Sequence, residues 1–443
     1  MLKELEAMER QEKEREKGGT GTSDEPKGGT AAGKVLPLGE QLRKEPVKPL
    51  AGIRVLDLTR LMAGPLGTEI LKDLGAEIIK IERGDGNRDL SRITDPVFGN
   101  TSVHFMTLNR GKKDLFLDLR RESHRRAFLR LAEKCDVIAE NFRPGVMKRL
   151  GLSYEEIQKV RPDIIYSAVS GFGQEGPYRD RRCMDTIAQA MSGFMMMTGR
   201  EGQEPIRGGS SVADICGALY EALGTLAALI YRKRTGEGCF VDVPMLSAMI
   251  SLTDGAAAEY INCGKPCGRV GNRDRWEAFF ETVPTKDGAV MVEAAEEEHF
   301  AGLMAALGLE DAAQDPDFKD SASRLAHREK LEELIFPAAR SMTMEELAGL
   351  CRSRGIPAGE VNTLERIFRT GYMEEQKMAV RVHDRQEGDF LVLGLPLAFD
   401  GWERAEEETV PQPGEQSGEI LRGLLGMSEE EIESFYENAS AGR

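Results

Sequence analysis

Histidine and paired cysteine are scarce in this chain. Among 443 residues there are five histidines and seven cysteines; the histidines stand apart, and no two cysteines form a C-x-x-C pair. The nearest two, Cys263 and Cys267, have three residues between them. Zinc sites need clustered Cys and His, so no metal is expected; an odd, scattered set of thiols argues against a disulfide framework and for a reducing, cytoplasmic compartment. Positive charge is short as well: 59 Lys and Arg against 75 Asp and Glu leave a net charge of −16. A general nucleic-acid binder neutralises phosphates with surplus cations, so no nucleic-acid partner is expected. The N-terminal "MLKELEAMERQEKEREKGG" is charged where a secretory signal is apolar. The most apolar window, 212–231, contains Asp214 and Glu221 and reads as a buried helix, so no membrane insertion is expected. Neither G-x-x-x-x-G-K-[ST] nor G-x-S-x-G occurs, which removes support for a P-loop kinase or an α/β-hydrolase. The first strand-to-helix turn, "TRLMAGPLGTE", carries only Gly64 and Gly67 in place of G-x-G-x-x-G, so no nicotinamide or flavin cofactor is expected.

What is present is ordinary globular material, 40% hydrophobic and 30% charged, long enough for two or three units. Residues 1–47 alternate charges and then turn Gly/Ser/Thr-rich, the composition of a flexible tail. From residue 48 strands and helices alternate: 53–58 and 76–82 are strand-like around a helical 67–74, and "KKDLFLDLR", a helix over 122–134, "DVIAENF" and "DIIYSAVSGFG" follow. That alternation predicts an α/β fold with a mostly parallel sheet covered on both faces. A long helix runs from about Asp214 to Lys233 with Gly236 as its stop, and "CFVDVPML" is a further strand. The expected organisation is a large unit over 48–250, a linker over 251–275, a small α+β unit over 276–370, a second linker over 371–395, and a return to the large unit over 396–443. Within the small unit a hairpin turns at Lys286-Asp287-Gly288, and helices lie near 298–307, 327–339 and 343–353. "FLVLGLPLAF" and a final helix from Ser428 lead back to the first unit.

Two features carry chemistry. Basic residues follow strand ends in an otherwise acidic protein: Arg83 after "IIKIE", Arg143, Lys148 and Arg149 in "ENFRPGVMKRLG", and Arg179, Arg181 and Arg182 in "GPYRDRRCMD". Together they suggest a basic crevice for a multiply charged ligand. The second is Asp214, set among small residues where the long helix begins. One reading is a helix N-cap, since Asp accepts bonds from the orphan amides and complements the positive end of the dipole. The absent P-loop and G-x-S-x-G motifs leave a carboxylate, not assigned to a position by the residues alone, as the nucleophile to look for.

The stretches "LDLTRLMAGPLGTEILKDLGAEIIKIER", "LFLDLR", "DVIAENFRPGVMKRLG", "SGFGQEGPY", "MDTIAQAMSG" and "VADICGALYEALGTLAALIYRKRTGEG", in that order over about 48–250, resemble the class III CoA-transferases of the CaiB/BaiF type, which include formyl-CoA and carnitine CoA-transferases. The resemblance implies a Rossmann-like large domain, a smaller α+β domain and an interlocked homodimer. It implies movement of coenzyme A from an acyl-CoA to a small carboxylic acid, with CoA as substrate and Asp214 as the covalent nucleophile. CoA contacts carry over onto Met62, Ala63, Arg83, Leu117, Arg120, Asn141, Phe142, Arg149, Arg182 and Asp185. Of these, Arg83, Arg120 and Arg149 suit phosphates and Asp185 stands beside the nucleophile; from the residues alone Asp185 also reads as a cap before "TIAQAMSG".

Two departures bear on the activity. The related α-methylacyl-CoA racemases have a His directly before the acid matching Asp185; here Met184 stands there, and a thioether cannot take up a proton. Two-base racemisation thereby loses one of its bases and transferase chemistry gains; racemase or epimerase chemistry and a non-catalytic acyl-CoA binder are the alternatives. Formyl-CoA transferase has a run of glycines after its counterpart of "GRVGNRD", where this chain continues "RWEAFFETV", which argues against formyl or oxalate specificity.

Overall fold

The structure, a computed structural model, describes residues 47–83, 89–94, 96–99, 101–402, 405 and 407–440. The expected tail lies outside these residues except for Val47.

Six strands form one sheet: β1 (Arg54–Asp57), β2 (Glu77–Glu82), β3 (Lys113–Phe116), β4 (Val137–Glu140), β5 (Ile165–Ser170) and β6 (Cys239–Pro244). Their order is β3-β2-β1-β4-β5-β6, and every adjacent pair is parallel. Helices α1 (Ala63–Asp73), α2 (Val103–Asn109), α3 (Glu122–Ala132), α4 (Val146–Arg149), α5 (Asp185–Met191) and α6 (Val212–Thr235) lie along the connections. The strands are near-continuous apolar runs because successive side chains enter different cores. Leu56, Ile79, Ile138 and Tyr166 share one core with Phe128 and Leu131 of α3. Their neighbours Val55, Ile78, Val137 and Ile165 share the other with Leu71 of α1 and Ala222 and Ala228 of α6. The strand order reverses beside β1, and at such a switch point the loops leaving the carboxyl edge part to open a crevice.

At 24 residues α6 is long and apolar enough to cross a bilayer by length and composition. In this fold it packs against α1, β5 and β6, and Gly236, at φ 80°, ends it as the sequence predicts. The approach of α1 is close enough that a methyl on Gly67 would collide with the Glu221 carboxyl and stand 3.2 Å from the Ala218 carbonyl oxygen. Glu221 is fully buried, and neither carboxyl oxygen has a hydrogen-bond partner. Burial first, and Asp57 second, push its pKa well above the usual range, so the site disfavours its anion. Replacing an unsatisfied buried polar group by an apolar one of similar length removes a desolvation cost of about 1–3 kcal/mol. Glu221→Met is therefore expected to raise the urea midpoint at unchanged slope; a lowered midpoint would show that the carboxyl has a stabilising partner.

Helices α7 (Met245–Ser251) and α8 (Asp254–Cys263) lead into a second sheet. There β7 (Phe280–Pro284), β8 (Ala289–Glu293) and β9 (Ala358–Glu360) pair antiparallel in the order β9-β8-β7. The β7–β8 turn falls where Lys286-Asp287-Gly288 predicted it. Asp287 also accepts the Met344 amide at 2.8 Å, fixing α11 (Met344–Arg352) to the hairpin. α9 (Glu297–Ala306), α10 (Arg328–Ala339) and α11 close a separate core around Val283, Val290 and Val292.

Two stretches read as linkers are structured. Residues 251–275 include α8, and 371–395 include the hairpin β10 (Ala379–Asp384) and β11 (Gly388–Leu393). With β12 (Glu407–Thr409) these strands form a third sheet, so "FLVLGLPLAF" does not join the first one. The strand stops before Gly394, where a Cβ would stand 2.8 Å from Val380 Cγ2, and Pro396 follows. The sheet packs through Val380, Val382 and Val392 on Phe105 and Met106 of α2. The last helices, α12 (Ser417–Leu425) and α13 (Glu429–Ser440), place Ile420, Leu421 and Ile432 in the α3-side core of the first sheet.

Candidate active site

Every residue singled out from the sequence lies at or beyond the carboxyl edge of the parallel sheet, except for those on helices that start there. The loop after β1 is held from below. Buried Asp57 accepts bonds from the Thr59 amide at 2.8 Å, Thr68 Oγ1 at 2.7 Å and Lys112 Nζ at 3.0 Å. Burial works to raise its pKa, and Lys112 and Lys80 outweigh that and keep it below the usual range. Leu61 takes the left-handed conformation, φ 64°, with its amide on Asp89 Oδ1 at 3.0 Å. A non-glycine residue there is strained, and such strain concentrates where a chain must present its next residues in a fixed way. Those next residues are Met62, in the N-cap position of α1, and buried Ala63 at its first turn.

Asn141 ties this loop to β4: its Oδ1 accepts the Arg60 amide at 2.9 Å and its Nδ2 donates to the Arg60 carbonyl at 2.7 Å. The Arg60 guanidinium lies 5.5 Å from the centroid of the Phe142 ring. Arg60 was not among the residues expected from the sequence.

Arg83, Leu117 and Arg120 form a second group past β2 and β3. The Leu117 amide, itself buried, donates to the Glu82 carbonyl at 2.8 Å. Arg120 clasps Asp118, with Nε and Nη2 at 2.8 and 2.7 Å. That bond, against a smaller desolvation effect and with help from nearby Arg83, holds Asp118 down at about 2. Arg149, the last residue of α4, shares its surroundings with Arg179: a methyl on Gly145 would stand 3.4 Å from Arg149 Nη1 and 3.9 Å from Arg179 Nη2. Two like charges so near each other suit an anion between them. Arg182 is exposed on the loop before α5.

The two acids meet at the helix starts. Asp214 is not the N-cap of α6: Ser211 holds that position, and Asp214 lies three residues further on, in the first turn. The capping falls to Asp185, the first residue of α5, whose Oδ1 accepts the Ala213 amide at 2.8 Å and the Asp214 amide at 3.4 Å. Nor does Asp185 cap its own helix; Met184, exposed, is in that position. Gln189, one turn along α5, donates to Asp185 Oδ2 at 2.7 Å and accepts the Gly208 amide at 2.8 Å. Its place four residues after Asp185 was the available signal for this role.

Asp185 thus takes the second and third amides of α6, those that a capping side chain at Ser211 would have used. The Asp214 carboxylate receives no hydrogen bond among the described residues. Burial first, then the charge of Asp185, push Asp214 up to about 7. The expectation that the helix terminus favours its anion is therefore corrected, because the favourable amides point at the neighbouring acid. Ala63, Val169, Ala188, Ala213 and Val243 pack in one cluster beneath, which brings the starts of α1, α5 and α6 together at the end of β5. A methyl on Gly217 would meet Met245 Cγ at 3.3 Å and Ala63 Cβ at 3.8 Å, so α6 seats closely there.

Among the described residues three carboxylates gather around one point, at Glu69, Asp73 and Glu408. Lys72 Nζ already stands 2.9 Å from Glu69, 2.9 Å from Asp73 and 2.5 Å from Glu408, and Arg110 also pairs with Glu69. This cluster is an internal ion-pair network, away from the two acids.

A parallel α/β sheet with arginines and backbone presented at its switch-point edge, and a pair of acids of unequal environment, Asp185 buried and Asp214 half-buried, is the arrangement of an enzyme acting on a phosphate-bearing substrate. The chain belongs to CoA-transferase family III, whose family model matches residues 50–417. It is 35% identical over 379 residues to the acetyl-CoA:oxalate CoA-transferase of Acetobacter aceti, covering 85% of this chain and 96% of that one. Over 409 residues it is 33% identical to the succinyl-CoA:glutarate CoA-transferase of Mus musculus, covering 92% and 94% of the two. A crystal structure of a CAIB/BAIF family protein from Brucella suis superposes with a TM-score of 0.76 at 30% identity, covering 86% of this chain and 100% of that one. This protein is accordingly a family III CoA-transferase, with acyl-CoA thioesters and carboxylic acids as substrates.

Proposed function

We propose that the protein transfers coenzyme A between carboxylic acids through a covalent intermediate on Asp214. The observation that carries this reading is the unequal acid pair: Asp185 saturated by amides and Gln189, Asp214 beside it without a donor and titrating near neutrality. The Asp214 carboxylate attacks the thioester carbonyl, the carbon–sulfur bond breaks, and a mixed anhydride and CoA thiolate result. The thiolate then attacks the aspartyl carbonyl, giving an aspartyl-CoA thioester and releasing the first acid. An incoming carboxylate takes the same two steps in reverse. Each covalent stage replaces a half-buried anion beside Asp185 by a neutral acyl group, so the repulsion that raises Asp214 also favours acylation. Met62, Ala63, Asn141 and Phe142 would hold the thioester end of CoA, and Arg83, Arg120, Arg149 and Arg182 its phosphates, through charge-assisted bonds.

For the acid we propose a short dicarboxylate. Support comes from the relatives, two of which are named for oxalate and glutarate. The oxalate name also tempers the expectation against oxalate drawn from the missing glycine run. Incubating the enzyme with acyl-CoA and a panel of isotope-labelled free acids tests both parts. Label should enter the CoA thioester pool with dicarboxylates and without ATP; no exchange with any acid would leave only a binder of CoA thioesters. Racemisation is disfavoured by exposed Met184, and α-deuteration of a 2-methylacyl-CoA in deuterated water would reinstate it.

We further propose a homodimer, interlocked as in the family, working in the cytoplasm. α6 and α8 leave Leu219, Leu223, Ile230, Tyr260 and Ile261 exposed on the single chain, an apolar surface of the kind that subunits cover. All seven cysteines are free, which suits a reducing compartment. A light-scattering mass near 48.9 kDa, that of one chain, would contradict the dimer.

A further inference from the structure

A cavity of about 690 Å³ opens between the segment 269–273, β7 and one side of α10. None of its lining residues belongs to the acid pair or to the expected CoA contacts. Arginines dominate it: Arg200, Arg269, Arg273, Arg328 and Arg340 face Glu201, Glu281 and Glu332.

The local pairings leave positive charge over. Arg273 Nη2 donates to Glu332 Oε2 at 2.6 Å, and Arg328 Nε stands 3.9 Å from Glu281 Oε1, too far for a hydrogen bond. Burial and the neighbouring Glu332 push Glu281 up to about 8, so it neutralises little at pH 7. Arg269 is anchored on backbone, with Nη2 on the Gln203 carbonyl at 2.5 Å and Nε on that of Arg200 at 3.2 Å. Among the described residues, the guanidinium groups of Arg200 and Arg340 have neither a hydrogen-bond nor an ion-pair partner. Arg328 is only 9% exposed; its Nη1 donates to the Asp274 carbonyl at 2.8 Å and its Nη2 to that of Glu277, and Nε alone has no hydrogen-bond acceptor. Cations gathered in a concave, partly enclosed space attract a counter-charge.

The layout describes that counter-charge. Arg328, Glu332 and Phe336 recur every four residues along α10 and Arg340 follows as its C-cap, so the backbone positions of the two arginines are about 18 Å apart along the helix axis. The positive groups are thus spread lengthwise, with an aromatic ring between them, and a single compact ion cannot use them all. Guanidinium forks match planar carboxylates in particular. We propose that this cavity is a binding site for a small anion carrying two or more spaced carboxylates, held by Arg200 and Arg340 with Arg328 Nε as the inner donor.

The site has a route to the acid pair. Gly271 N donates to the Gly199 carbonyl at 2.9 Å, and the segment from Gly199 runs to Gly208, whose amide rests on the Gln189 that holds Asp185. A ligand clamped at Arg200 braces this segment. The proposal itself concerns binding, and it stands whether or not Asp214 forms a covalent intermediate.

Calorimetric titration of the full chain, saturated with free CoA, tests it with succinate, glutarate and citrate against acetate and inorganic phosphate. The multivalent carboxylates should bind, and acetate at least tenfold more weakly. In the double variant Arg200→Gln/Arg340→Gln the carboxylates should lose at least tenfold in affinity, while CoA binding and the melting temperature stay as in the wild type. Carboxylate binding unaffected by the double variant would overturn the site. Phosphate binding as tightly as succinate would overturn the class of ligand.

Discussion

Asp214→Asn is expected to abolish CoA transfer, lowering kcat by roughly 10⁴ to 10⁶-fold, the scale on which removing a covalent nucleophile acts. The amide has nearly the shape of the carboxylate and cannot attack a thioester. The loss should be chemical and not structural. No group among the described residues donates to the Asp214 carboxylate, while Asp185, Gln189 and the α6 amides keep their bonds without it. The variant should melt at or above the wild-type temperature, since it removes a half-buried acid beside Asp185, and should bind acyl-CoA with unchanged affinity. Steady-state rates with thermal melts and a binding isotherm separate these effects. A folded, binding-competent Asn variant turning over within tenfold of the wild type would remove Asp214 from the chemistry.

The second large effect is on pH. Attack requires the Asp214 anion, and burial with the charge of Asp185 lifts this group from 3.8 to about 7. kcat/KM should therefore fall about tenfold per pH unit below pH 7 and level off above it. Asp185→Asn removes the repelling charge and keeps an oxygen for the Ala213 amide, so its acid limb should move to lower pH. The same shift bears on stability, and its sign is opposite to that of a salt-bridged acid. Between pH 3.8 and about 7 the folded protein holds a proton at Asp214 that the unfolded chain has lost. The contribution of this group to stability accordingly falls as pH rises through that window and is fully unfavourable above it. The difference in melting temperature between wild type and Asp214→Asn should therefore grow from pH 4 to pH 7. An acid limb centred near pH 4 would show that the anion is favoured after all.

The parallel sheet was legible because its strands are short apolar runs separated by helices of matching period, and because Gly236 and Lys286-Asp287-Gly288 mark a helix end and a turn with local chemistry alone. The hairpin β10–β11 was not. Its inward residues Val380, Val382 and Asp384 alternate with exposed ones, the mark of a half-covered strand, amid polar residues that read as connection. At the site, the position of Asp214 beside a helix start could be read. Its environment could not, because the amides that decide it are taken by Asp185, 29 positions earlier in the chain. Likewise Arg120 looked free for a phosphate, and only the fold sets it on Asp118. Unpaired Glu221 in the core and unpaired arginines at the cavity depend on which elements meet, and local pattern does not carry that information.

The most direct measurement is mass spectrometry of the protein mixed with acyl-CoA donor and no acceptor acid, quenched in acid and digested. A CoA or acyl adduct should appear on the peptide spanning Asp214, be absent in Asp214→Asn, and disappear when an acceptor acid is added. An adduct on a different side chain, or full turnover with Asp214 remaining unmodified throughout, would contradict the account.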